Sequence, residues 1–170
     1  MKKQIKIWLF RINGHEGGYV NRNKKDDPGG ETKWGISKRS YPHLDIFNLT
    51  LEQAAEIYEV DFIRPISSRE LPNGITFQLV DFAVHSGIRR AVKELQRTMN
   101  IVIGGIHVDP DGVIGPLTRA KILSFSDSDL VMRLTAARIK FLKGLDNWQA
   151  NSRGWMDRIA NNLIYGAEDT

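Results

Sequence analysis

Apolar residues recur at spacings of three and four through most of the chain, and this period argues against a fold built on sheets. Ile5, Trp8, Leu9 and Ile12 set the pattern, which places side chains on one face of a helix. The same spacing joins Ile75, Leu79, Phe82 and Ala83. It returns in Ile88, Ala91, Val92, Leu95 and Met99, and again in Leu130, Leu134, Ala137, Phe141 and Leu145. Trp155, Ile159 and Leu163 carry it to the last helix. Alternation of period two is scarce. The sequence therefore predicts a mainly α domain of about six to eight helices. Helix ends are also written in it. Thr50-Leu-Glu-Gln53 has the form of a capping box opening a helix through Tyr58. Gly14, Gly17 and Gly18 suggest that the first helix ends near them, and Gly87 closes another. Gly115-Pro116 begins a helix, and Ser126 to Asp129 resembles a cap for the next.

The chain has 170 residues, enough for one domain, or one domain with a small appendage. It contains no cysteine, which excludes disulfides, thiolate metal sites and cysteine catalysis. The formal charge of +4 favours an anionic polymer, such as nucleic acid or a bacterial wall. A nucleic-acid motif and a concentrated basic stripe are both lacking, so nucleic acid is not expected as a partner. Near the start, Lys6 and Arg11 bracket only Ile7 to Phe10. A signal peptide needs an apolar run of roughly 7–15 residues. The sequence thus predicts neither a signal peptide nor a membrane span. If the target lies outside the cytoplasm, something else must export the protein.

Residues 17–35 are crowded with Gly, Asn, Asp, Lys and Pro, which predicts a long turn-laden segment, with room for a short hairpin. A long irregular stretch in a compact domain is often functional. The carboxylates around it suggest a use. Glycoside hydrolysis commonly needs one carboxyl kept protonated and a second, ionised group across the scissile bond. Glu16 lies four residues beyond Ile12 and would extend the apolar stripe if the helix ran that far. Desolvation there would raise its pKa and suit it to the acid role. Asp27 lies among glycines in a polar loop and suits the second role, and Thr32 offers a hydroxyl to hold a water. On spacing alone the same residues could merely cap a helix and start a turn at Pro28, and Asp26 could serve in place of Asp27.

The whole string carries more weight. "EGGYVN" followed by "DPGGETKWGIS" resembles the signature of glycoside hydrolase family 108: Glu16, Gly17, Gly18, Tyr19, Asp27, Pro28, Gly29, Gly30, Thr32, Gly35, Ile36 and Ser37 match in order. Ser37 stands where threonine is common, and the loop before Asp27 is longer than the family pattern by about two residues. "LVDFAVHSGIRRAVKELQ" resembles a second family stretch, with His85 where asparagine is usual, and "RGWMDRIANN" resembles a third. The family consists of N-acetylmuramidases found among phage endolysins and related bacterial proteins.

The resemblance implies a lysozyme-like helical domain with a small loop or hairpin region at the active site. It implies a muramidase catalytic region over 1–90 and a peptidoglycan-binding helical region over 91–170, packed as one compact unit. It implies cleavage of the β-1,4 bond between N-acetylmuramic acid and N-acetylglucosamine, with Glu16 as general acid and Asp27 and Thr32 completing the triad. Tyr19, Trp34, Ser37, Asp81 and His85 are the implied substrate-binding residues. Each has a plainer alternative: Trp34 could anchor the loop to the core, and Asp81 with His85 could form a surface ion pair or a buried structural contact. Trp155 and Arg158 read as core packing and a buried ion pair. No metal or organic cofactor is implied. The expected partner is bacterial peptidoglycan, reached from the cytoplasm with the help of a holin or other export system, by a monomer without stable membrane insertion. Two competing functions are a lytic transglycosylase, which needs one glutamate and no water, and a non-catalytic wall-binding module.

Overall fold

The computed structural model describes residues 2–14, 18–21, 30–66 and 71–170. It is mainly helical, as the apolar period predicts. The chain divides into two compact units, Met1–Asp61 and Phe62–Thr170.

In the first unit, α1 (Lys2–Asn13) packs on α2 (Leu51–Tyr58). Ile5, Trp8, Leu9 and Ile12, the four residues of the opening stripe, are all buried. They share a core with Ile36, Ile46, Leu49, Ala54 and Tyr58. The capping box at Thr50 is formed in full. Gln53 N–H donates to Thr50 Oγ1 at 3.2 Å, and Thr50 N–H donates to Gln53 Oε1 at 2.9 Å. Between the two helices lies a three-stranded antiparallel sheet of β1 (Val20–Asn21), β2 (Glu31–Lys33) and β3 (Ile36–Ser37), in that spatial order. It is larger than the short hairpin suggested by the sequence, because β3 lies at the edge of the turn-rich segment and its single buried side chain, Ile36, carries no period-two signal.

A π-helical turn, Glu59–Ile63, spans the division between the units and is followed by the short α3 (Arg64–Ile66). In the second unit, α4 (Asn73–Ser86) packs against α5 (Ile88–Ile103), α7 (Asp127–Lys143) and α8 (Trp148–Asp169), while α6 (Pro116–Ile122) packs on α5. The sequence predicts one apolar face for α4, but the helix is buried on all sides from Gly74 to Ala83. A helix surrounded in this way is the centre of its bundle. Its start shows how the bundle closes. Pro72, at the N-cap, offers no side-chain acceptor. The carboxylate of Asp127, in the first turn of α7, accepts instead from Gly74 N–H at 3.0 Å and Ile75 N–H at 2.8 Å. Two of the orphan donors of a helix N-terminus are thus satisfied from another helix. Ser126 caps α7 in turn, accepting from Asp129 N–H.

Further on, α5 holds the loop after it through two buried amides. Asn100 accepts from His107 and Val108 N–H and donates to Val108 C=O. Gln96 accepts from Gly112 N–H and donates to Asp111, Val113 and Thr118. No helix among the described residues is long and apolar enough to cross a membrane.

Candidate active site

The predicted triad is only partly described. Glu16, Asp26 and Asp27 lie outside the described residues. α1 stops at Asn13, short of Glu16, and Gly14 follows at φ +66°, a left-handed conformation that suits glycine at a helix end.

Thr32 is described, in the central strand of the small sheet. It pairs with Val20 on one side and Ser37 on the other, so the three share one face, with Thr32 and Ser37 directly opposite. Ile36 points to the other face and is buried. Among the described residues, the Thr32 hydroxyl makes a single long contact, 3.5 Å to Gly30 C=O. A weakly engaged hydroxyl of this kind keeps its capacity to donate to and accept from a water or a sugar. Ser37 is more occupied: its Oγ accepts from Ser40 N–H at 3.2 Å and lies 3.0 Å from Ser40 Oγ, stapling the turn after β3.

Tyr19 precedes β1, with its ring edge-on to Phe47, centroids 5.1 Å apart. Desolvation and the neighbouring Glu31 carboxylate raise its pKa, so the phenol stays neutral and able to donate.

Trp34 has an unusual backbone. Lys33 pairs with Ile36, leaving a two-residue connection, Trp34 at φ +53° and Gly35 at φ +74°. Left-handed geometry at both central residues is that of a type I′ hairpin turn, which normally takes Asn-Gly. A bulky residue there is strained and persists only where its surroundings over-determine it. They do so here. The Trp34 ring lies edge-on to Phe10, centroids 6.1 Å apart. Its carbonyl accepts from Asn13 Nδ2 at 3.2 Å, and the same amide donates to Leu9 C=O at 3.0 Å. A Cβ on Gly35 would collide with Asn13 Oδ1 and the Tyr58 hydroxyl. The turn is thus clamped onto Asn13 at the end of α1, three residues before Glu16 in the sequence. The anchoring alternative for Trp34 is the one the geometry supports.

Asp81 and His85 belong to the second unit. Asp81 is fully buried at the middle of α4, and its carboxylate is saturated. It accepts from Arg138 Nη1 at 2.6 Å, from Arg158 through Nε and Nη2, and from Asn162 Nδ2 at 2.6 Å. Burial opposes ionisation, but the two guanidinium groups outweigh it and hold its pKa below the ordinary carboxylate range. The expectation that Asp81 binds substrate is corrected accordingly: every face of its carboxylate is taken by the core. His85, one turn on, stands at the surface with its ring edge-on to Trp155, centroids 5.6 Å apart. Desolvation against that ring, then the positive charges of Arg158 and Arg138, lower its pKa to about 4, against a smaller opposing pull from Asp81. At neutral pH the imidazole is an uncharged donor and acceptor, and it makes no ion pair with Asp81. Arg138, missed in the sequence, is buried on the α7 stripe one position after Ala137, where only its pairing with a distant aspartate could justify it.

Comparison with known proteins settles the family. Residues 9–87 match the family described as Glycosyl hydrolase 108, a span that contains all the predicted site residues. Among solved structures the chain is similar to SagA of Brucella abortus, with 30% sequence identity, a TM-score of 0.82, and coverage of 99% of this chain and 97% of that one. The chain belongs to the glycosyl hydrolase 108 family. As a member it is a glycoside hydrolase, a cell-wall muramidase acting on peptidoglycan. Comparison with curated protein sequences yields no match. Of the residues the sequence points to, Tyr19, Thr32, Trp34 and Ser37 are described in the first unit, on or beside the small sheet and its clamped turn.

Two predictions follow from these contacts. Replacing Gly35 with Ala adds a Cβ to a left-handed residue already in contact with Asn13 and Tyr58, and should lower stability by about 1–3 kcal/mol; an unchanged urea midpoint would contradict the clamp. Asp81→Asn leaves Arg138 buried beside a neutral partner and should cost about 3–5 kcal/mol. Because the folded-state pKa of Asp81 lies below its unfolded value of about 3.9, its contribution is complete above that pH and fades as pH falls below it. The stability of the variant should therefore depend less on pH below about 4 than that of the wild type; parallel profiles would refute the linkage.

Proposed function

We propose that this glycoside hydrolase cleaves the β-1,4 bond between N-acetylmuramic acid and N-acetylglucosamine, with Glu16 as the general acid. The observation that carries the reading is the clamp of the Thr32 hairpin onto Asn13 at the end of α1, three residues before Glu16 in the sequence. It ties the strand bearing Thr32 to the helix that leads to the acid, and positioning of this kind is worth several kcal/mol of barrier.

Glu16 would protonate the glycosidic oxygen as the bond breaks and positive charge develops on the sugar ring. Asp27 would carry the opposing negative charge, with Asp26 its alternative. Thr32, whose hydroxyl is only weakly engaged among the described residues, would hold a water beside that carboxylate. A held water suits inversion, in which the water attacks the face of the sugar opposite the leaving group. Tyr19, as a neutral phenol at the edge of the sheet, supplies a donor and an aromatic edge for the glycan. The charge of +4 favours approach to an anionic wall. Residues 91–170 would assist as a wall-binding region, and release to the wall would need a holin or other export system, for a chain acting as a monomer in a phage-type lytic role.

Clearing of purified peptidoglycan tests the assignment of the acid. Glu16→Gln should lose nearly all clearing while keeping its circular dichroism spectrum and melting temperature. Asp27→Asn should lose at least about a hundredfold, the scale of a single positioned acid–base or charge-stabilising group. Equal clearing by Glu16→Gln and wild type would rule out Glu16 as the acid.

A further inference from the structure

Three aromatic side chains cluster in the second unit. His85 closes α4, and Trp148 and Trp155 lie on α8. The two tryptophans are seven residues apart, two helical turns, and so share a face. Their rings are 6.1 Å apart at the centroids and tilted by 48°, and Trp155 stands 5.6 Å from His85 in an edge-on contact at 87°. Trp8, which serves the core of the first unit, is only 5% exposed, whereas Trp148 and Trp155 are half-buried and His85 is exposed.

The cluster is held rigidly. Trp148 N–H donates to Leu145 C=O at 3.0 Å, fixing the start of α8. Arg158, one turn after Trp155, is tied to Asp81 in α4, the helix that carries His85. Aromatic rings held partly exposed offer apolar area with little side-chain entropy left to lose on binding. The imidazole adds an uncharged hydrogen-bonding edge at one end. Apolar rings beside a neutral donor and acceptor match a pyranose ring, with its axial C–H face and its hydroxyl and acetamido rim. They match a charged stem peptide poorly.

We propose that Trp148, Trp155 and His85 form a platform that holds an N-acetylated sugar strand of the wall, supplying substrate grip in addition to the bond-breaking groups. The inference rests on the reading of the substrate as wall glycan. It makes Trp148 and Trp155 binding residues, and it gives His85 a neutral, sugar-facing role.

The test is binding in a Glu16→Gln background, where the glycan survives. Full-length Glu16→Gln protein is titrated with peptide-free glycan strands and, separately, with free stem peptides. The indole Nε1–H resonances of Trp148 and Trp155 should shift with the glycan strands and stay in place with the peptides. Adding Trp148→Ala should weaken glycan binding about tenfold, equivalent to the loss of one aromatic contact, and Trp148→Phe should restore it to within about threefold. Unmoved indole resonances, or glycan affinity unchanged by Trp148→Ala, would overturn the proposal. So would a response to stem peptides alone. The indole shifts report on the platform even if Trp148→Ala folds poorly. The identity of the scissile bond is judged separately, from the products of the wild-type enzyme, so either idea can fail while the other stands.

Discussion

The second unit is organised around one carboxylate. Asp81 sits at zero exposure in the central helix and is met by Arg138 from α7 and by Arg158 and Asn162 from α8. Two cations on one anion leave a positive excess in the core, and two features reduce its cost. Phe82 presents its ring to the Arg138 guanidinium, 4.9 Å from the centroid. Arg158 remains partly open to solvent, at 27% side-chain exposure. The Asn162 backbone carbonyl accepts from Gln78 Nε2 at 2.7 Å, binding α8 to α4 a second time. Buried ion pairs add little net stability compared with a well-packed apolar core, but they punish any rearrangement that separates the partners. Here the punished rearrangements include every change of register between α4, α7 and α8. The positions of His85 on α4 and of Trp155 on α8 follow from that lock.

The first unit solves a different problem, holding a small sheet steady on a few contacts. Sheets this short are marginal alone. The strain at Trp34 is offset by an aromatic contact, an amide clamp and the close fit of Gly35 against Asn13 and Tyr58. The stiffness gained is local to the turn and to Thr32, two residues away, and this is where a water-holding hydroxyl would need it.

Much of this was legible in the sequence. The stripe Ile5, Trp8, Leu9, Ile12 is the buried face of α1, and the Thr50–Gln53 box caps α2 as written, because both signals are local and depend on few neighbours. The Gly87 and Gly115-Pro116 boundaries hold for the same reason. The all-round burial of α4 was not legible, since which faces are covered depends on helices 50 to 80 residues away. Asp81 illustrates the limit. Its i, i+4 spacing from His85 suggests a pair, yet its partners are at 138, 158 and 162, and no local pattern connects them. The type I′ turn was hidden because tryptophan occupies a position where asparagine is the usual signal. The family signature, by contrast, is a dozen residues in fixed order, and its reading agrees with the match over residues 9–87.

The central claim is that this chain hydrolyses the muramic acid side of the wall glycan with water. Mass spectrometry of borohydride-reduced fragments from purified peptidoglycan tests it most directly. The account predicts fragments ending in reduced N-acetylmuramic acid, each carrying one added water. Fragments ending in 1,6-anhydro-muramic acid, or in reduced N-acetylglucosamine, would contradict it.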